Sequence, residues 1–508
     1  MRDPIDPRDL GAALRVWARR YGDRPAAIGE GNKLAFAQLD TAADAWAAAL
    51  RGGRDTRIGL LGGNSPAWLA AAFGVWRAGA TLVPISTFVT ARELADVLAH
   101  ADLSTLIVQP RVHSRDFRAL LAELPAAVRR PRIVPLDGVD EGSPTERPAI
   151  DPEAIACILY TSGTTGRAKG VRLSHRAILA TVGPTAERSG LTADDSLLST
   201  LPLFWVAGLV IRALPTLATG CALILIERAT PDTLLDAFRR HRPTALHLRP
   251  PQIGGLLAHP DFTPDVLARV CRGGGRVEWF HPHFDPRVVH MITGYGMTET
   301  AGYATALDWR DPPDVRAAQI GQPLPGVELR IVRADGQACA PDEEGDIRVR
   351  GPGLFSGYHG EPPGNGLDAD GFFRTGDRGR IDAKGVFHFS GRSKDLLRVK
   401  GINVSPVEVE TVLGAHPAID AAYVVGLPVD SLEQEIVALV VPRIGAAAVE
   451  AEIRAFARRE LSHYKCPTHY IWISRDEVPL SATSKPQREV LAALAIDRLK
   501  SRGPIWRH

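Results

Sequence analysis

The 508-residue sequence predicts an α/β protein: a large N-terminal domain of α/β layered subdomains with a small β-rich subdomain, followed by a small α+β C-terminal domain. Three observations carry this. Helical and strand periodicities alternate through the first half, the texture changes to short strands with turn signals from about residue 327, and a fresh alternation begins after residue 394. In order, residues 40–51 have the spacing of an amphipathic helix, 56–61 of a short strand, 66–77 of a helix and 81–84 of an apolar strand. The pattern continues through 91–100 and 105–108, which argues for parallel strands joined by helical crossovers. Residues 327–332, 346–349 and 386–389 read as strands of the β-rich subdomain. A helix from residue 406, strands at 421–425 and 436–441 and a helix from residue 448 then form the C-terminal domain. The expected division is 1–393 and 394–508.

Composition narrows the partners. With 45% hydrophobic and 23% charged residues the chain reads as an ordinary globular protein. Lysine and arginine number 60 against 58 acids, so no long-range field recruits nucleic acid or an anionic membrane. Cys157, Cys221, Cys271, Cys339 and Cys466 are scattered without a C-x-x-C pair, which fits a reducing, cytoplasmic setting. The N-terminus lacks the apolar core of a signal peptide, and the most apolar stretch, residues 67–85, is broken by Arg77 and two glycines, so no membrane span is expected.

The most informative string is Tyr160-Thr161-Ser162-Gly163-Thr164-Thr165-Gly166-Arg167-Ala168-Lys169-Gly170, placed after the apolar run 155–159. Glycines and small hydroxyl residues after a strand let backbone N–H groups and hydroxyls surround an anion, and phosphate is the natural guest. The spacing is not that of a Walker A loop, because the lysine stands three residues after Gly166 and no serine or threonine follows it.

With this string the sequence resembles the adenylate-forming superfamily of acyl-CoA synthetases, standalone adenylation domains of peptide synthetases and luciferases. The resemblance runs over nearly the whole chain. It includes Tyr295-Gly296-Met297-Thr298-Glu299, Gly321-Gln322-Pro323, Phe373-Arg374-Thr375-Gly376-Asp377, Gly391-Arg392-Ser393-Lys394-Asp395, Lys400-Gly401 and Lys485, in the family's order. It implies that ATP activates a carboxylate as an acyl-adenylate and that the acyl group then passes to a thiol, that of coenzyme A.

The resemblance also implies residue roles. Thr161, Ser162, Gly163, Thr164, Thr165 and Lys169 would hold phosphates. Tyr295 would stack on adenine beside Gly296 and Met297, Thr298 would contact the α-phosphate, and Glu299 would hold Mg2+, a hard cation suited to carboxylate and phosphate oxygens. Asp377 would accept hydrogen bonds from the ribose hydroxyls, with Arg392 also reaching the ribose. Lys485 would bridge the attacking carboxylate and the α-phosphate. The C-terminal domain would be mobile, with a hinge at Lys394, and would bring Lys400 and Gly401 to the pantetheine channel in the second step.

For the acyl pocket the resemblance points to Trp205, Val206 and Gly208, and to Gly274 and Gly275 within Gly273-Gly274-Gly275-Arg276-Val277. Trp205 stands where acyl-CoA synthetases often have histidine, and fills either the pocket or the core. Arg249 and Arg276 are unusual cations in this region, suited to reading a second carboxylate or to a structural pairing. No aspartate is placed here to pair with an amino acid's ammonium. Two further readings stand beside the ligase: an enzyme that loads a separate carrier protein, and a degenerate nucleotide-binding protein, suggested by Ser484 and Gln434 where relatives often have glycine. The sequence is also compatible with a homodimer.

Overall fold

Apolar runs without alternation mark strands covered on both faces. Every residue of Thr105–Val108 and of Ala222–Leu225 is buried accordingly. The computed structural model describes the chain except residues 1–7, 51–52, 54, 140–148, 162–168, 281–282, 363, 393–395, 430–433, 444–448, 480–485 and 502–508.

The expected alternation is present as Arg57–Leu61, Pro66–Arg77, Thr81–Ile85, Ala91–Ala101 and Thr105–Val108. These strands lie in a parallel sheet with Ile155–Thr161 on one side and Arg132–Pro135 on the other. Helix Pro66–Arg77 starts at Ser65, whose Oγ accepts from Trp68 N at 3.2 Å, with proline in its first turn. It is apolar on all sides because Trp68, Phe73 and Trp76 are all buried. Its last residue, Arg77, is 1% exposed and pairs with Asp40 and with Asp44 (2.9 Å), both in helix Phe36–Ala49. That helix begins earlier than its periodicity suggests because Gln38 accepts from the backbone N–H of Ala35 at 2.9 Å, capping a start at Phe36.

A second sheet has the spatial order His290–Ile292, Arg272–Gly274, Ala245–His247, Ser196–Ser199, Ala222–Leu225, Pro25–Ile28, Lys33–Ala35. It is parallel except for the hairpin at the last edge. The β-rich subdomain is an antiparallel meander of Glu328–Val332, Gly345–Arg350, Phe373–Ile381 and Phe387–Arg392, and Gly294–Met297 pairs separately with Gly302–Ala306.

Packing divides the chain into one unit of residues 1–87, 98–160 and 170–393 and another of residues 88–97, 161–169 and 394–508. Within the second unit, helix Pro406–Gly414, strands Ile419–Pro428, Gln434–Pro442 and His469–Trp472, and helix Glu450–Glu460 form the α+β pattern. Lys465 is buried there and donates 2.7 Å hydrogen bonds to both Glu93 and Glu408. Removing one member of such a buried ionic group costs about 3–5 kcal/mol. Among the described residues, no helix is long and apolar enough to cross a membrane.

Candidate active site

Ser199, His247, Gly274 and Ile292 stand in register, one beside the next, at the carboxyl ends of four parallel strands. Beyond these ends come, in turn, Trp205, Arg249, Gly275 and Tyr295. The chain leaves Ser196–Ser199 toward Ala222–Leu225 on one side and returns to Ala245–His247 on the other, so the strand order reverses here. Open α/β sheets bind ligands in the crevice at such a reversal. Residues nearly a hundred positions apart are thereby gathered along one edge.

Tyr295 is 6% exposed, and its hydroxyl donates a 2.9 Å hydrogen bond to Oδ2 of Asp377, itself 5% exposed. Its ring lies 5.3 Å from Phe387 and 5.6 Å from Phe389 between centroids. Asp377 is fixed through Thr375, whose hydroxyl accepts from Asp377 N at 3.1 Å and donates to the Ile347 carbonyl at 2.8 Å. Arg392 is paired opposite Asp377 on the neighbouring strand; its side chain lies outside the described residues. Gly296 is required by packing, because a Cβ there would come within 1.9 Å of the Gly302 carbonyl oxygen.

Met297 leads into the short turn Thr298–Thr300. The Thr298 hydroxyl has no hydrogen bond among the described residues, while Tyr358 donates to Oε1 of Glu299 at 2.9 Å and Oε2 is left without a partner among them. A half-buried carboxylate with one oxygen so placed is a fitting ligand for a hard divalent cation that takes its other ligands from phosphate oxygens and water.

Trp205 packs edge-on against Phe204 at 5.5 Å, and Val206 leads into a π-helix, Ala207–Ala213. Gly208 lies in this helix against the Pro202 carbonyl. Such helices are rare and concentrate at functional sites. Arg212, near its end, is 4% exposed; Nε donates to Nδ1 of His247, and Nη2 donates to the Tyr303 hydroxyl at 3.1 Å. A Cβ on Gly274 would stand 2.3 Å from both Nη2 of Arg212 and Nδ1 of His247, so these groups press directly on the glycine strand. Loss of hydration, and then the neighbouring Arg212 charge, hold the His247 pKa well below its usual value. Arg212, His247 and Tyr303 were not among the residues singled out by motif. The signal was nevertheless there, since Arg212 interrupts the apolar run 206–215, where a charge is costly without a purpose.

Of the two unusual arginines, Arg276 is half-buried and donates to the Ala317 carbonyl, a structural tie. Arg249 precedes helix Pro250–Leu257, its backbone N–H capped by Gln252 at 3.0 Å. Thr161 ends strand Ile155–Thr161 and Lys169 opens Lys169–Ser174. Ser162, Gly163, Thr164, Thr165, Lys394, Ser484 and Lys485 lie outside the described residues. Lys400 and Gly401 form the two-residue turn between Leu397–Val399 and Ile402–Val404, with φ of +49° and +78°.

Residues 14–359 match the AMP-binding enzyme family, and residues 408–485 match the AMP-binding enzyme C-terminal domain. The chain is 32% identical to a sulfoacetate–CoA ligase of Cupriavidus necator, over 94% of this chain and 96% of that protein. It is 31% identical to an indoleacetate–CoA ligase of Aromatoleum aromaticum, over 90% and 92%. Among solved structures it resembles a malonyl-CoA ligase with methylmalonyl-CoA and AMP bound, with a TM-score of 0.76 and 30% identity, over 94% of this chain and 99% of that one.

Proposed function

The chain belongs to the AMP-binding enzyme family, and from that premise we propose a reaction in two half-steps with assigned residues. The protein is an AMP-forming acid–CoA ligase: a carboxylate and ATP give an acyl-adenylate and pyrophosphate, and coenzyme A then takes the acyl group. The order follows from leaving groups. Oxide cannot leave a carboxylate, whereas AMP leaves a mixed anhydride when a thiolate attacks.

In the first half-step a carboxylate oxygen attacks the α-phosphorus and pyrophosphate departs. Asp377 accepts from the ribose diol, Tyr295 lies against the adenine, and Thr298 donates to the α-phosphate. Arg392 assists at the ribose, and Thr161, Ser162, Gly163, Thr164, Thr165 and Lys169 surround the phosphates. Lys485 offsets the repulsion between carboxylate and phosphate. Glu299 is the residue that would hold Mg2+, which when bound offsets charge on the phosphates. In the second half-step the thiolate sulfur bonds to the acyl carbon and AMP leaves; Lys400 and Gly401 serve the pantetheine arm, and Lys394 the hinge between steps.

The observation that supports this reading best is the bond between Tyr295 and Asp377, which joins two motifs assigned independently to one nucleotide. Acid-dependent pyrophosphate release, followed by mass spectrometry of products formed with free coenzyme A, tests it. A CoA thioester is the expected product. Release of pyrophosphate with no thioester unless a phosphopantetheinyl carrier protein is supplied would move the acceptor to that protein, and no release with any acid would end the reading.

A further inference from the structure

Arg212 is a buried cation without a buried anion. No carboxylate lies within 4 Å of it among the described residues, and its two hydrogen-bonding partners there, His247 and Tyr303, are neutral. The other two buried arginines among the described residues have anionic or carbonyl acceptors, Arg77 from Asp40 and Asp44 and Arg316 from the backbone carbonyls of Pro286 and Val289. A guanidinium cannot shed its proton to escape the interior, so leaving it without a countercharge is costly unless a ligand supplies one.

Two N–H donors of this group are left without a protein acceptor among the described residues. Nε and Nη2 of Arg212 are taken, while Nη1 has no hydrogen bond among the described residues. Because arginine only donates, Nδ1 of His247 is the acceptor in their bond, and the neutral ring therefore carries its proton on Nε2. That N–H also has no partner among the described residues. The charged group is held from two sides, by a ring on strand Ala245–His247 and a hydroxyl on strand Gly302–Ala306, so its position is fixed before any ligand arrives. It presses on Gly274, in the row of strand ends that leads to Trp205 and Tyr295. The absence of a side chain at Gly274 is what leaves room for both groups.

We propose that Arg212, oriented by His247 and Tyr303, binds a second anionic group on the substrate, so that the acid activated here is a dicarboxylate or a sulfonated carboxylate. The inference rests on the ligase reading above. Arg212 is then a specificity-determining residue, and His247 and Tyr303 are positioning residues.

The test is the rate of acid-dependent pyrophosphate release by the full chain with malonate, succinate and 3-sulfopropionate against propionate and butyrate. Wild type should show a kcat/KM for the dianions at least about 10-fold above that for monoacids of equal length, in line with one charge-assisted contact. Arg212→Leu should collapse that ratio by about 10- to 100-fold, and Arg212→Lys should retain part of it. Gly274→Ala, which displaces the guanidinium without removing it, should lower the ratio in the same direction. Thermal melting and ATP binding of each variant separate selectivity from misfolding. Wild type that favours monoacids, or an Arg212→Leu protein that melts normally and keeps the dianion preference, overturns the assignment while leaving the ligase standing. ATP binding without pyrophosphate release on any acid overturns the ligase reading, and this one with it.

Discussion

The hydroxyl of Tyr295 is bonded to the carboxylate of Asp377 across 82 residues of sequence. This ties the aromatic strand Gly294–Met297 to the antiparallel meander that carries Asp377. Asp377 is thus a buried acceptor already oriented by the protein, and Tyr295 is both a packing surface and an orienting donor.

Asp377→Ala should weaken ATP binding by about 10- to 100-fold, since each hydrogen bond to a charged acceptor contributes about 1.5–3 kcal/mol. Tyr295→Phe keeps the ring and loses only the orienting bond, so its loss should be smaller. Calorimetry with ATP decides the matter. Equal affinities for wild type and Asp377→Ala would remove Asp377 from the nucleotide site.

Lys485→Ala should slow acyl-adenylate formation by about 10²–10³, the usual cost of removing a charge contact made in the transition state. Thioester formation from supplied acyl-adenylate should be largely preserved. Stopped assays of each half-step measure the two rates separately. Equal slowing of both would mean that Lys485 is not confined to the first half-step.

The turn at Lys400 and Gly401 has positive φ at both residues, the type I′ geometry of a tight hairpin. Gly401→Ala should therefore destabilise the protein by about 1–2 kcal/mol, while Lys400→Asn, which tolerates the left-handed region better, should stabilise it slightly. Urea unfolding midpoints show the two shifts in opposite directions. A bulkier Gly401→Leu strains the turn as well as obstructing a pantetheine channel, so thiolation rates in that variant need the stability of Gly401→Ala as their reference.

His175 is 1% exposed and accepts from the backbone N–H of Leu10 at 3.2 Å, and burial pushes its pKa down to about 4. In the unfolded chain the value is about 6.5. Above pH 6.5 neither state binds this proton and the group is neutral to stability. Between pH 6.5 and 4 the unfolded chain alone takes it up, so stability falls as pH falls, by roughly 3 kcal/mol over the window. His175→Asn should lessen the drop in unfolding free energy between pH 7 and pH 4.5 by about 2–3 kcal/mol. An unchanged drop would show that His175 is not the titrating group.

Local pattern carried much of the fold. Pro66–Arg77, with its serine cap, first-turn proline and apolar faces, and Thr105–Val108, with its unbroken aliphatic run, are readable because their causes lie within a few residues. The start of Phe36–Ala49 was less so, because one side-chain bond from Gln38 moves it. In the site, the motif strings pointed to Tyr295, Glu299 and Asp377 singly, but the bond from Tyr295 to Asp377 belongs to tertiary packing. The same holds for Arg212, His247 and Tyr303, which come from a π-helix and two strands of different sheets. No spacing rule links them. Only the cost of a charge in an apolar run hinted at the first.

The π-helix Ala207–Ala213 holds one residue more per hydrogen-bonded loop than its α-helical neighbour Leu214–Thr219. Deleting a single residue upstream of Arg212 within it lets the segment relax to α-helix and turns the side chain by about 100°, away from His247 and Tyr303. Under the role proposed for Arg212, such a one-residue deletion should remove the preference for dianionic acids, with Tyr295, Glu299 and Asp377 untouched.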